Sequence, residues 1–198
     1  KEKIKDVKKN WPKKSSKLWH SGYAKIDGKE NILEQKMKAI SKKKDFPKDI
    51  SVLFDYFYES EFINKIEKLT GEKNITHDEY RWSGLRMMLK NSFQLIHSDA
   101  RINPISGLKK KITCLLYIND EQYERAESEG CLEIWDDEMK NCVHKIEPIN
   151  NRLVIFKNSK TSYHGVPKVL RDRKSLLFNF CQKVKHEETR KRALFVAR

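Results

Sequence analysis

The segment Gln94-Leu95-Ile96-His97-Ser98-Asp99 closes the first of six short apolar runs in the second half of this chain. Residues i and i+2 of a strand point to the same face, so His97 and Asp99 can aim an imidazole and a carboxylate at one point. The six runs span 85–97, 111–118, 131–135, 143–146, 152–156 and 175–181. Many short strands with polar breaks between them predict a sandwich or barrel rather than a parallel sheet. Asp136-Asp137-Glu138-Met139-Lys140-Asn141-Cys142 reads as a polar hairpin connection, its acids a solvated turn and not a metal cluster.

Before Arg81 the periodicity is helical. Ile50, Leu53, Phe54 and Phe57 follow the i, i+3, i+4, i+7 rule of one helical face. Phe62, Ile63, Ile66 and Leu69 form a second stripe, with Ser60 placed to cap that helix and Gly71 to end it. These aromatic stripes read as core. The predicted fold is therefore α+β, mainly β: a double-stranded β-helix core of jelly-roll or cupin-like type, buttressed by N-terminal helices. One domain is expected over 1–198, with a mainly helical layer at 1–80, the β core at 81–185 and a basic tail at 186–198.

The bulk properties set outer limits. At 198 residues, 38% hydrophobic and 35% charged, the chain is globular and large enough to fold on its core alone. No apolar run approaches the roughly 18 residues of a membrane span. No signal-like segment opens the chain, and with no initiator Met it reads as a piece of a longer protein. Cys114, Cys131, Cys142 and Cys181 form no C-x-x-C pair and read as reduced and mostly structural, which suggests a cytoplasmic setting. The net charge of +14 comes mostly from scattered Lys and reads first as a solvated surface. Trp11, Trp19 and Tyr23 interleave with the N-terminal lysines, which leaves base stacking on a nucleic acid open.

H-x-D alone is a pattern that chance supplies often. The second half of the constellation is Ser162-Tyr163-His164-Gly165-Val166-Pro167, with Arg173-Lys174-Ser175-Leu176 behind it. His164 from a distant strand would complete a two-histidine, one-carboxylate triad that leaves one face of an octahedral metal open. Arg173 follows His164 by nine residues, at the start of the last strand. Its guanidinium can pair in bidentate fashion with a carboxylate reaching it from the metal.

On these residues the span 82–180 resembles the Fe(II)/2-oxoglutarate-dependent oxygenases, and within them the prolyl 4-hydroxylase-like group. The matching pieces are HSD (97–99), CLLYIND (114–120), GCLEIWD (130–136), NRLVIF (151–156), SYHGVP (162–167) and RKSLLFNF (173–180). The resemblance implies that His97, Asp99 and His164 ligate Fe(II), and that 2-oxoglutarate and O2 are cosubstrates, with ascorbate as a candidate reductant. It further implies that Arg173 and Tyr117 bind the distal carboxylate of 2-oxoglutarate, that Ser175 adds a hydrogen bond, and that Leu115, Leu132 and Val166 wall the pocket. Two departures touch that lining. Gly130-Cys131 stands where Gly-Gly is usual, and Asn179 replaces a bulkier residue.

The reaction so implied is oxidative decarboxylation of 2-oxoglutarate to succinate and carbon dioxide, coupled to hydroxylation of a substrate C–H bond. Related halogenases lack the carboxylate ligand, so Asp99 favours hydroxylation. A prolyl residue of a peptide or protein is the leading substrate. A free amino acid or other small molecule, oxidative demethylation of nucleic-acid bases, and a catalytically inactive barrel binding RNA or protein are the alternatives. Demethylation is disfavoured because no further Arg follows Arg173 on the last strand, and the inactive barrel because it needs none of His97, Asp99, His164 and Arg173. Arg101 and Trp135 are expected near the mouth. His20, His77, His144 and His186 read as surface or packing residues, and His77-Asp78-Glu79 as a polar turn.

Overall fold

The computed structural model describes residues 2–21, 34–78, 82–120, 130–183 and 194–195. Their order is α1 (Glu2–Lys9), β1 (His20–Ser21), β2 (Glu34–Ile40), α2 (Lys48–Phe57), α3 (Ser60–Thr70), β3 (Thr76–His77), β4 (Gly84–Ser98), β5 (Lys109–Tyr117), β6 (Leu132–Trp135), β7 (Cys142–Ile146), β8 (Leu153–Lys157), β9 (His164–Val166), β10 (Arg173–Gln182) and β11 (Leu194–Phe195). All the pairings are antiparallel, and they run β7-β6-β9-β4-β10-β5-β8. The long strand β4 makes this path curl. Its residues 84–88 pair with β10, whereas Gln94 and His97 pair with Val166 and His164 of β9. One strand thus belongs to two faces, which gives the curled, jelly-roll-like core predicted above.

Alternation along β10 sorts its side chains. Leu176, Phe178 and Phe180 join the core that the helices cover, with Ile50, Leu53, Phe54 and Phe57 of α2 all buried in it. Phe57 stacks on Phe178 with centroids 4.1 Å apart. Each such buried side chain contributes about 1.5–3 kcal/mol, so α2 anchors the sheet that carries the site. Arg173, Ser175 and Asn179 alternate with these residues, placing them on the concave side, where a second apolar cluster gathers Met88, Tyr117, Leu132, Val154, Val166 and Val169.

The N-terminal layer departs from expectation at β2 and at both ends of α3. β2 is a strand, pairing along β4 from Gln94 to Leu85, although Glu34-Gln35-Lys36-Met37-Lys38-Ala39 is poor in strand-forming residues. Pairing with β4 outweighs local preference there. In α3, Leu69 is 69% exposed and leaves the apolar stripe, while Ile66 is buried. The residue preceding α3 is Glu59 and not Ser60, and no side-chain bond caps it. Gly71 does end the helix in the left-handed conformation, its N–H bonded to the carbonyl of Glu67.

Trp11 and Trp19 lie 6.1 Å apart and pack against the helical core, so these two indoles are engaged within the fold; Tyr23 falls outside the described residues. Thr76 and His77 form a short strand on β10 rather than a turn, with the His77 ring stacked on Tyr58. Asp78 is buried and accepts hydrogen bonds from Asn103 and Ser106. Glu79 and His186 lie outside the described residues. His20 and His144 are exposed on strands. The 136–142 connection is a turn in which the Asp136 carboxylate accepts the N–H groups of Lys140 and Asn141. Cys114, Cys131 and Cys181 are buried and all four cysteines are free thiols. No helix among the described residues is long and apolar enough to cross a membrane.

Candidate metal centre

His97 and His164 stand directly opposite each other where β4 meets β9, their ring centroids 4.4 Å apart. Asp99 lies one residue past the end of β4. Ligand atoms of His97, Asp99 and His164 all fall within 4.8 Å of one another. Both rings are oriented from behind. Nδ1 of His97 donates to the carbonyl of Leu95 at 2.8 Å, and Nδ1 of His164 to that of Ser162 at 2.9 Å. A carbonyl can only accept, so these bonds fix Nδ1 as the protonated nitrogen of each neutral ring and turn each Nε2 toward the site. Both Nε2 atoms face Asp99 Oδ1, at 3.6 and 3.9 Å. Burial, then the neighbouring His97, lowers the His164 pKa to about 4, so this imidazole is neutral at physiological pH, as ligation requires.

The second oxygen of Asp99 is held from the other side. Lys110 Nζ sits 3.0 Å from Oδ2, on a side chain that is 6% exposed. The Asn158 amide, oriented as its neighbours demand, donates to the same oxygen at 3.2 Å and accepts the N–H of Thr113 at 3.1 Å. Burial alone would raise the Asp99 carboxyl. The Lys110 charge, followed by His97 and His164, outweighs it and holds the group well below the usual carboxylate range.

Sequence reasoning missed Lys110, and the register shows why. Ile112, Cys114 and Leu116 face the helices, so strict alternation would send Lys110 outward with them. The pairing slips instead: Phe180 opposes Ile112, but Cys181 opposes Lys110. The extra residue is Lys111. This bulge turns Lys111 toward Glu72 behind α3, at 2.9 Å, and Lys110 into the site. No residue pattern announces such a slip. Asn158 was missed because it lies just past β8, outside any motif; its N–H bonds to the Lys111 carbonyl at the bulge.

Arg173 and Tyr117, both assigned to one carboxylate by the resemblance, lie side by side. Arg173 Nη2 donates to the Tyr117 hydroxyl at 2.8 Å, and both side chains are buried. Arg173 Nε is also buried and has no hydrogen-bond partner among the described residues. Burial raises the Tyr117 pKa, although Arg173 opposes it, so the phenol keeps its proton. Ser175 is buried on the same face as Arg173, opposite Tyr117 in the register. Leu132 and Val166 belong to the apolar cluster that also contains Tyr117, and Leu115 packs at its edge. Val166 follows His164 by two residues on β9, so this wall joins the triad to the arginine. Gly130, at φ +60°, lies against it: a Cβ there would sit 3.0 Å from Val169 Cγ1 and 3.5 Å from Arg173 Cδ. Cys131 is buried beside it.

The two residues expected at the mouth part company. Trp135 is half-buried, and its N–H bonds the carbonyl of Tyr163 next to His164. Arg101 is buried, and its carbonyl accepts the N–H of Lys110. Two aromatic residues on the imidazoles were not foreseen. Phe156 lies 4.9 Å from the His164 ring and Phe195 4.9 Å from that of His97. The second belongs to β11, which pairs with Ser98 and His97 inside the region expected to be a plain basic tail.

Two buried imidazoles and one part-buried carboxylate converging on one point suit Fe(II) and would leave its other positions open. The family described as the 2OG-Fe(II) oxygenase superfamily matches residues 83–181, from the entry into β4 almost to the end of β10. Among solved structures, the chain is similar to a prolyl-4-hydroxylase from Pseudomonas putida, with 13% identity and a TM-score of 0.65 over 92% of this chain and 88% of that one. It is also similar to a prolyl hydroxylase from Trichoplax adhaerens, solved with a hypoxia inducible factor oxygen degradation domain peptide fragment. There the identity is 15% and the TM-score 0.59, over 91% and 76% of the two chains. HygX from Streptomyces hygroscopicus, solved with nickel, 2-oxoglutarate and hygromycin B, shares 9% identity and a TM-score of 0.51 over 77% and 72%. At these identities the likeness is one of fold. No curated protein sequence matches the chain.

Proposed function

Because the chain belongs to the 2OG-Fe(II) oxygenase superfamily, we propose that it is an Fe(II)- and 2-oxoglutarate-dependent hydroxylase acting on a prolyl residue of a peptide or protein. The observation that carries the catalytic part is the convergence of two buried imidazoles, His97 and His164, on the part-buried Asp99, with an Arg173 Nε that has no partner among the described residues at the far end of one apolar wall. A buried guanidinium N–H without a partner is a demand that a carboxylate meets. The residues therefore fit both groups: the triad would hold iron, and Arg173 with Tyr117 would hold the distal carboxylate of 2-oxoglutarate.

When bound, the pair supplies oxidation by O2, 2-oxoglutarate being decarboxylated to succinate while one oxygen atom enters a substrate C–H bond. The chain's own residues orient and shield. The Leu95 and Ser162 carbonyls fix the two imidazoles, and the wall of Leu115, Leu132 and Val166 keeps water from the cosubstrate stem. Asp99 occupies a position that a halide would need, which supports hydroxylation over halogenation.

The prolyl assignment draws on similarity of fold to two prolyl hydroxylases, over 92% and 91% of this chain. The +14 charge suits an acidic protein partner. Similarity to HygX favours a second reading, a small-molecule substrate. Succinate release should be measured with Fe(II), 2-oxoglutarate and panels of proline-containing peptides, free amino acids, aminoglycosides and methylated oligonucleotides, with mass spectrometry of the products. The prolyl reading expects substrate-dependent succinate and one added oxygen on proline. Turnover on another panel alone would overturn it.

A further inference from the structure

We infer that Lys110 is a positioning residue that restricts Asp99 to ligation through one oxygen, keeping an adjacent metal position open for the cosubstrate. The inference rests on the iron and 2-oxoglutarate reading above, and goes beyond it by assigning work to a residue outside the ligand set.

The two oxygens of Asp99 have different surroundings. Oδ1 faces both Nε2 atoms, at 3.6 and 3.9 Å. Oδ2 is turned away from them and is held by Lys110 at 3.0 Å and by Asn158 at 3.2 Å. A free carboxylate can rotate to bind a metal through both oxygens. That would consume a coordination position which a chelating 2-oxo acid needs. With two donors on Oδ2, one of them a cation, such rotation would break a charge-assisted bond and strand an ammonium in a buried place.

Lys110 is itself held firmly. Its Nζ lies 4.6 Å from the centroid of the Trp82 ring, and its N–H bonds to the carbonyl of Arg101 at 2.7 Å. The β5 bulge is what directs it inward. A bulge next to a site is a device for re-aiming one side chain, and here the re-aimed side chain ends on the ligand. The ammonium also offsets the charge of the Asp99 carboxylate.

The test uses Co(II), which reports coordination in its visible d–d bands without turnover. Wild type, Lys110→Arg and Lys110→Met are titrated with Co(II), and the loaded proteins with 2-oxoglutarate. Lys110→Met should still bind Co(II), show an altered band shape and bind 2-oxoglutarate at least about tenfold more weakly. Lys110→Arg should stay within about threefold of wild type on both. A Lys110→Met protein with wild-type spectrum and cosubstrate affinity overturns the inference. So does a folded Lys110→Met that takes up no Co(II), since Lys110 would then be needed for metal retention and not for ligation mode. Should Lys110→Met fail to fold, Asn158→Leu removes the other donor to the same oxygen. It must shift the bands in the same direction, and an unchanged spectrum overturns the inference. A wild-type protein that binds neither Co(II) nor 2-oxoglutarate would remove the parent reading as well, a result distinct from all of these.

Discussion

Arg173 and Tyr117 are joined by a 2.8 Å hydrogen bond between two buried side chains that are 56 residues apart in the chain. The register that opposes Ser175 to Tyr117 brings them together, and the apolar cluster around them excludes water. Charge-assisted hydrogen bonds contribute about 1.5–3 kcal/mol each. Replacing Arg173 with Met removes the cation and the N–H at Nε. We expect 2-oxoglutarate affinity to fall by about 100-fold or more, with Mn(II) affinity unchanged within a few fold. Tyr117→Phe removes one neutral donor and should cost about tenfold or less. Calorimetric titration of the Mn(II)-loaded protein checks both; equal 2-oxoglutarate affinity in Arg173→Met would end its assigned role.

Asp99 and Lys110 form a largely buried pair, and breaking a fully buried pair from one side costs about 3–5 kcal/mol because the survivor is left unpaired, which sets the upper end here. In metal-free protein, Asp99→Ala and Lys110→Met should each be destabilising. The double variant should lose less than the sum of the two, with a coupling of about 1–3 kcal/mol. Urea denaturation of the four proteins in chelator gives the cycle. Strict additivity would mean the pair does not interact.

Metal binding should stabilise the fold by mass action. A divalent ion at 100 times its dissociation constant adds about 2.7 kcal/mol, and at about 2–4 °C per kcal/mol for a chain of this size that is a rise of roughly 5–10 °C in Tm. Mn(II) or Co(II) should produce this rise in wild type, and His164→Ala should abolish it. Differential scanning calorimetry in chelated buffer with metal added back is the measurement. A persisting shift in His164→Ala would place the metal elsewhere.

These expectations rest on residues of unequal legibility. The ends of β4 and β5 were readable to within two residues, because β-branched and apolar side chains there agree with the tertiary pairing. His97, Asp99 and His164 were readable because a strand period of two fixes the first pair, and the resemblance pointed to the third. β2 was not, since its Glu, Gln, Lys and Ala residues carry no strand signal and only β4 makes them a strand. Lys110 was hidden by a one-residue slip that reverses inside and outside. Leu69 has the spacing of a core residue but is exposed in the last turn of α3, which spacing alone does not reveal.

Phe195 stacks on the His97 ring, centroids 4.9 Å apart and planes 26° from parallel, while β11 pairs with Ser98 and His97. Aromatic stacking of this kind contributes about 0.5–1.5 kcal/mol beyond area burial. One face of the ligand imidazole is thus braced by a residue nearly a hundred positions away, while the Leu95 carbonyl fixes its edge. Replacing Phe195 with Ala frees the ring to tilt, and we expect Co(II) affinity to fall about three- to tenfold. Phe195→Leu keeps an apolar brace without a π-face and should fall between. The Arg173–Tyr117 end of the pocket does not involve β11, so 2-oxoglutarate affinity at saturating metal should move by less than about threefold. Co(II) titration followed in the d–d bands separates the two quantities. Unchanged metal affinity in Phe195→Ala would show that the carbonyl bond alone orients His97.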